Sequence, residues 1–161
     1  MGALNQFTKT DLNQTLYVKK DIVDKSRKRH QIDATGLTLG RLAVIVTNHL
    51  VGKGKVTNCD FWDSGDFVVV HNVGKMVYTG NKGILKEYHT YSGYKGHVKS
   101  IRLQDLMKKD PSKVLWYAVK GMLPKNKLRS KRLIRLKMFT DISTKFDYMN
   151  PAVIESAYLT K

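Results

Sequence analysis

Three aspartates, Asp60, Asp63 and Asp66, recur every third residue in one short stretch. Two carboxylates and a water are enough to begin hydrolysis or to hold a metal ion. No neighbouring His or Glu completes such a set, and Ser64-Gly65 between them spells a turn. Turn chemistry is the preferred reading, with Asp side chains accepting from backbone amides ahead of the next strand. The other residues able to do chemistry are as poorly arranged for it. His30, His49, His71, His89 and His97 include no H-E-x-x-H pair, and none completes a finger with Cys59, the single cysteine. Ser92 lies outside any G-x-S-x-G elbow. These absences predict no enzyme, no metal site and no cofactor.

Gly36-Leu37-Thr38-Leu39-Gly40-Arg41 stands where α/β proteins cradle phosphates, between a strand and a helix. The spacing is not G-x-G-x-x-G, and no Gly-Lys-Ser/Thr follows. A tight strand-to-helix turn is the preferred reading, with Gly40 letting the helix pack close. Arg41 would then contact an RNA phosphate or pair with an acid.

The charge pattern is the strongest signal. The 161 residues carry 29 Lys or Arg against 13 Asp or Glu, a formal net charge of +16, with a sequence pI near 9.9. So large an excess repels itself in a compact chain, and nucleic acid is the commonest neutralising partner. Pro111 to Thr140 contains no acid. Lys120, Lys125, Lys127, Arg129, Lys131, Arg132 and Arg135 bracket Pro124 there, with no acidic sequence neighbour. A solvated helix face usually mixes both signs, so external phosphates are the expected counter-charge. The stretch Tyr88 to Lys99 interleaves aromatics, glycines and bases. Tyr91 and Tyr94 offer stacking faces, and Lys95, His97 and Lys99 add positive or polar contacts. Lys53, Lys55 and Lys82 extend the expected contact set, and Lys25 to His30 form a further basic cluster.

A chain that is 42% hydrophobic can bury a core beneath these groups. No apolar run approaches the ~20 residues of a membrane span, and no apolar h-region marks a secretory signal near the start. The elements are legible in outline. A strand ends at Ile32-Asp33-Ala34, and Leu39, Leu42, Ala43, Val46 and Leu50 mark one helical face. Thr38 stands at the N-cap position, and Gly52 and Gly54 end the helix. Asp66 to Asn72 reads as a strand buried on both faces. Met76-Val77-Tyr78 reads as a further strand, Thr79 to Lys82 as a turn, Ile84 to Tyr91 as extended chain and Ser92 to His97 as a flexible loop. A helix over Leu103 to Met107 breaks at Asp110-Pro111, and Pro111 opens the next one. A basic helix over Leu128 to Ile134 and a last strand over Leu136 to Phe139 complete an α/β alternation.

Five of these segments recur together elsewhere. Asp33 to Ala43, Gly65 to Asn72, Thr79 to Lys82, Ser92-Gly93-Tyr94 and Val119 to Lys125 resemble, in order and spacing, the bacterial and organellar form of the large-subunit ribosomal protein thirteen family. The resemblance covers about Ile32 to Phe139. It implies a compact three-layer α/β/α domain with a small, mainly parallel four-stranded sheet and no bound nucleotide. It implies no catalysis, binding to large-subunit rRNA, a part in subunit assembly and neighbouring large-subunit proteins as partners. The chain departs from the family pattern at Tyr91, Lys95 and His97, around Arg129, and at Asp147 to Pro151.

The sequence therefore predicts an N-terminal arm over 1–30, an α/β RNA-binding domain over 31–141 and a C-terminal extension over 142–161. The expected function is a structural, rRNA-binding part of the large ribosomal subunit, cytoplasmic, with an organellar ribosome as the other option. No membrane and no small-molecule substrate are expected. Two rivals stand beside it: a free RNA-binding regulator of messenger RNA, and a nucleotide-using RNA-modifying enzyme.

Overall fold

The computed structural model describes residues 20–56, 58–141 and 151–154. A short helix, α1 (Lys20–Lys25), leads into strand β1 (Arg29–Asp33). Helix α2 (Leu39–Val51) then crosses to β2 (Phe67–His71), which pairs parallel to β1 from Arg29↔Phe67 to Asp33↔His71. Two adjacent parallel strands need such a crossover, and the helical spacing of Leu42, Ala43, Val46 and Leu50 makes α2 fit for it. All four residues are fully buried. Val68 and Val70 on β2 and Ile32 on β1 are fully buried too. A central strand covered on both faces has no use for alternation, which explains the unbroken apolar run.

After β2 come a 3₁₀ turn (Val73–Lys75) and α3 (Lys82–Leu85). An antiparallel pair follows, β3 (Glu87–Tyr91) and β4 (Val98–Arg102), then α4 (Leu103–Lys109) and α5 (Pro111–Met122). Helix α6 (Leu128–Ile134), β5 (Leu136–Met138) and β6 (Ala152–Ile154) complete the described chain. The main sheet has four parallel strands in the order β5-β2-β1-β6, and β3-β4 form a separate ribbon. The fold is α/β with a parallel four-stranded sheet, as expected. Helix α5 starts as its sequence dictates: Pro111 occupies the first turn, and the Asp110 side chain accepts from the Lys113 amide. Its buried Val114, Leu115 and Val119 meet α2 in the core.

Three local expectations need correction. Met76-Val77-Tyr78 forms no strand; Val77 makes one isolated parallel bridge to Thr38. The first part of Ile84 to Tyr91 is not extended, because α3 ends at Leu85. Ser92 to His97 is a loop, as read, and forms the tip of the β3-β4 ribbon, with Gly93 and Gly96 at positive φ. Leu136 to Met138 is not the last strand, since Ala152–Ile154 pairs with β1. That strand comes from the segment read as a C-terminal extension. Of the segment read as an N-terminal arm, residues 1–19 lie outside the described residues, as do Asp147 to Asn150.

Candidate nucleic-acid interface

The acids decide which cations remain for a partner. Asp63 and Asp66 sit in the loop between α2 and β2, and Gly65 between them packs against the end of α2. A Cβ at Gly65 would lie 1.8 Å from the Leu50 carbonyl oxygen, so only glycine allows this approach. The approach brings the two carboxylates over the sheet end, where they meet cations from distant segments rather than serving a local turn. Asp63 Oδ1 accepts from Arg135 Nη2 at 2.5 Å and lies 3.5 Å from Arg132 Nε. Arg135 also donates to the carbonyls of Gly65 and Leu50. Burial pushes its pKa down, and the Asp63 charge opposes that shift. Asp66 Oδ1 accepts from the Lys28 amide at 2.7 Å and from the Lys55 ammonium, while Oδ2 lies 3.2 Å from His30 Nε2. Burial would raise the pKa of Asp66, but these partners outweigh it and hold it at about 2.

Of the residues expected at the RNA surface, two are buried and a third is half-buried beside acids. Arg132 and Arg135 are 2% and 5% exposed, and Lys55 is drawn onto Asp66 and the Ser64 carbonyl. No acid close in sequence pairs with the Lys120 to Arg135 run, but for Arg132 and Arg135 the counter-charge is Asp63 rather than an external phosphate. That pairing spans 72 residues of sequence for Arg135.

The other expected contacts are arranged in separate groups. Lys125, Lys127 and Lys131 are exposed around the α5–α6 turn, and Arg129 is half-buried. Lys120 lies over the Trp116 ring, 4.5 Å from its centroid. Tyr91, Tyr94, Lys95, His97 and Lys99 are all exposed on the β3-β4 ribbon and its tip. Tyr94 lies edge-on to His97 at 6.1 Å. Arg41 and Lys53 are both exposed but stand near opposite ends of α2, roughly 18 Å apart at the helical rise.

Arg41 and Lys82 do come together. They border an open groove of about 1230 Å³ between the start of α2, the end of α5 and the Tyr78 to Lys86 segment. Lys86 lines it too, and was missed by sequence reading. So were Tyr78, Tyr117 and Met122, whose types suggest only core packing. Gly40 is a correction: nothing lies within 4 Å of where its Cβ would be, so it faces the groove instead of permitting close packing. Thr38 makes no side-chain capping bond to the helix it precedes.

One set could hold a metal. A ring nitrogen from each of His30 and His49 and an oxygen of Asp66 lie within 4.8 Å of one another. Burial, then the nearby His30, pushes the His49 pKa down, which favours its neutral form. A cation there would compete with Lys55 for the Asp66 carboxylate.

These features define a basic α/β protein in which Asp63 and Asp66 pair with cations from distant segments while lysines and tyrosines stay exposed at the α5–α6 turn and the ribbon tip. The chain belongs to the ribosomal protein L13 family, whose model matches residues 27–145. This is a family of structural proteins rather than enzymes. The chain is 44% identical over 138 residues to the large ribosomal subunit protein uL13 of Clostridioides difficile, covering 86% of this chain and 96% of that one. It is 38% identical over 144 residues to uL13 of Thermotoga petrophila, covering 89% and 95%. With uL13 of Alkalilimnicola ehrlichii it shares 45% over 116 residues, covering 72% and 82%.

Proposed function

We propose that this protein is a structural constituent of the large ribosomal subunit that binds large-subunit rRNA and helps the subunit assemble. One observation carries the reading. Asp63 and Asp66 are occupied by the buried Arg135 and the half-buried Lys55, while Lys125, Lys127 and Lys131 and the ribbon-tip bases are exposed. The external surface is left with a positive excess that the chain itself does not neutralise. Phosphates supply that neutralisation where RNA segments crowd together, and the rigid sheet fixes the basic groups relative to one another.

The β3-β4 ribbon fits the same role. Only Tyr88 and Ile101, paired in register, are partly buried along it. A two-stranded ribbon with so little cover is marginal by itself, and it presents exposed tyrosines suited to unstacked bases. Neighbouring large-subunit proteins are the remaining expected partners.

The test is fractionation of native extract on sucrose gradients at low and high salt, tracking the protein by mass spectrometry. Stoichiometric migration with large subunits that survives a moderate salt wash is expected. Protein at the top of the gradient, or bound instead to a defined messenger RNA, would overturn the assignment.

A further inference from the structure

The groove beside α2 has a property that the fold does not need. Gly40 in the first turn of α2 and Gly121 in the last turn of α5 line it from facing helices. Neither has positive φ, and a Cβ on either would meet nothing within 4 Å. Glycine within a helix costs stability relative to alanine. With no turn and no close packing to require it, each glycine leaves open space for a group from outside the chain.

The remaining lining defines that group. Tyr117 is 38% exposed and Met122 44% exposed. The Tyr117 ring is held by stacking against Tyr88, with centroids 5.2 Å apart. Tyr78 is set by Gly83, where a Cβ would come within 2.9 Å of the ring. Arg41, Lys82 and Lys86 bring positive charge, and among the described residues no Asp or Glu lines the groove. At the start of α2 Thr38 adds no side-chain cap and the Leu39 amide donates to the Val77 carbonyl, so it is the helix dipole there that favours an anion. At about 1230 Å³ the space exceeds the ~300–1,000 Å³ of most small-ligand pockets.

We propose that this groove seats an unstacked nucleotide from a looped or single-stranded RNA segment. The base packs against Tyr117, Tyr78 and Met122, and the flanking phosphates lie on Lys82, Lys86 and Arg41. Aromatic rings with neighbouring cations suit a base and its phosphates together. The inference rests on the RNA-binding function proposed above and adds the site of one specific contact.

The test uses the full-length protein and purified large-subunit rRNA. Filter binding and thermal unfolding are measured for the wild type, Gly40→Leu and Gly121→Leu, and photo-crosslinks on the wild-type complex are mapped by mass spectrometry. The leucine variants should unfold no earlier than wild type yet bind rRNA about tenfold or more weakly, the scale of one lost stacking contact. Nucleotide crosslinks should fall on Tyr78, Tyr117 or Met122. Unchanged affinity in stable leucine variants, with wild type binding tightly, would overturn the groove site and leave RNA binding intact. If a leucine variant unfolds early, the crosslinks decide: nucleotides attached only within residues 91–99 and 125–131 overturn the site. Within isolated large subunits, a crosslink from the groove to another protein would likewise overturn it. Wild type that fails to bind rRNA at all would sink the functional reading along with the groove.

Discussion

Asp63 is the residue on which the buried charge depends. Its carboxylate faces both Arg132 and Arg135, each at least nine-tenths buried. Asp63→Ala would leave the Arg135 guanidinium with only the Gly65 and Leu50 carbonyls and would take the acid away from the buried Arg132. Breaking a buried pair in this way typically costs about 3–5 kcal/mol. A urea titration should therefore give a much lower midpoint with an unchanged slope. A loss below about 1 kcal/mol, the level of an exposed pair, would mean that water reaches the site. Asp66 and His49 make stability depend on pH in two windows. Both have folded pKa values below their ordinary ones, so the unfolded chain takes up protons first as pH falls. His49 stability is therefore present above about pH 6.5 and erodes as pH drops below it. Asp66 stability is present above its ordinary 3.8 and is lost as pH falls through about 2. Unfolding measured from pH 8 to pH 2 should show both declines, and Asp66→Asn should shrink the lower one to the share of Asp33, where desolvation raises the pKa but the Asn72 and Thr35 hydrogen bonds outweigh it and lower it. A flat profile below pH 4 in the wild type would contradict the Asp66 pairing.

Among the elements, the β3-β4 ribbon separates binding from folding most cleanly. Tyr91 and Tyr94 are 61% and 75% exposed, so replacing both by alanine should leave the thermal midpoint almost unmoved. If each stacks a base, rRNA affinity should fall about tenfold or more, read by filter binding at fixed salt. Unchanged affinity would remove the ribbon from the interface. The same ribbon marks where sequence reading was weakest. Helix α2 was legible because Leu42, Ala43, Val46 and Leu50 repeat at the helical period, and β2 because its valines run unbroken between turns. Strands β3 and β4 carry no alternation, since almost every side chain on both faces meets solvent. Strand β6 is only 3 residues long, and its identity as a strand comes from its pairing with β1. The contact residues were half legible for a related reason. Composition identifies a basic segment, but which of its cations turn inward depends on acids elsewhere in the chain. Lys131 and Arg132 are neighbours, yet one is exposed and the other buried on Asp63. Local patterns likewise gave no reason to bring Gly40 and Gly121 to one groove.

At the scale of the whole molecule, a formal charge of +16 concerns partnership more than folding. Internal pairing sets some of the 29 Lys and Arg against the 13 acids without lowering that excess, and exposed cations stand at the α5–α6 turn, the ribbon tip and the groove. An interface built this way should hold rRNA through many phosphate contacts, each releasing counterions. The logarithm of affinity should therefore fall linearly with the logarithm of salt concentration. Replacing Lys125, Lys127 and Lys131 together by alanine should reduce the steepness of that line by about 2–3, from roughly 0.7–0.9 per lost phosphate contact. These lysines are exposed, so unfolding should be barely affected. Arg132→Ala is the internal comparison. It removes one charge from α6, next to Lys131, but its guanidinium already faces Asp63, so stability should fall while the salt slope holds. A triple variant with the wild-type slope would place RNA elsewhere on the surface. A changed slope for Arg132→Ala at unchanged stability would mean that the Asp63 pairing gives way to phosphate in the complex.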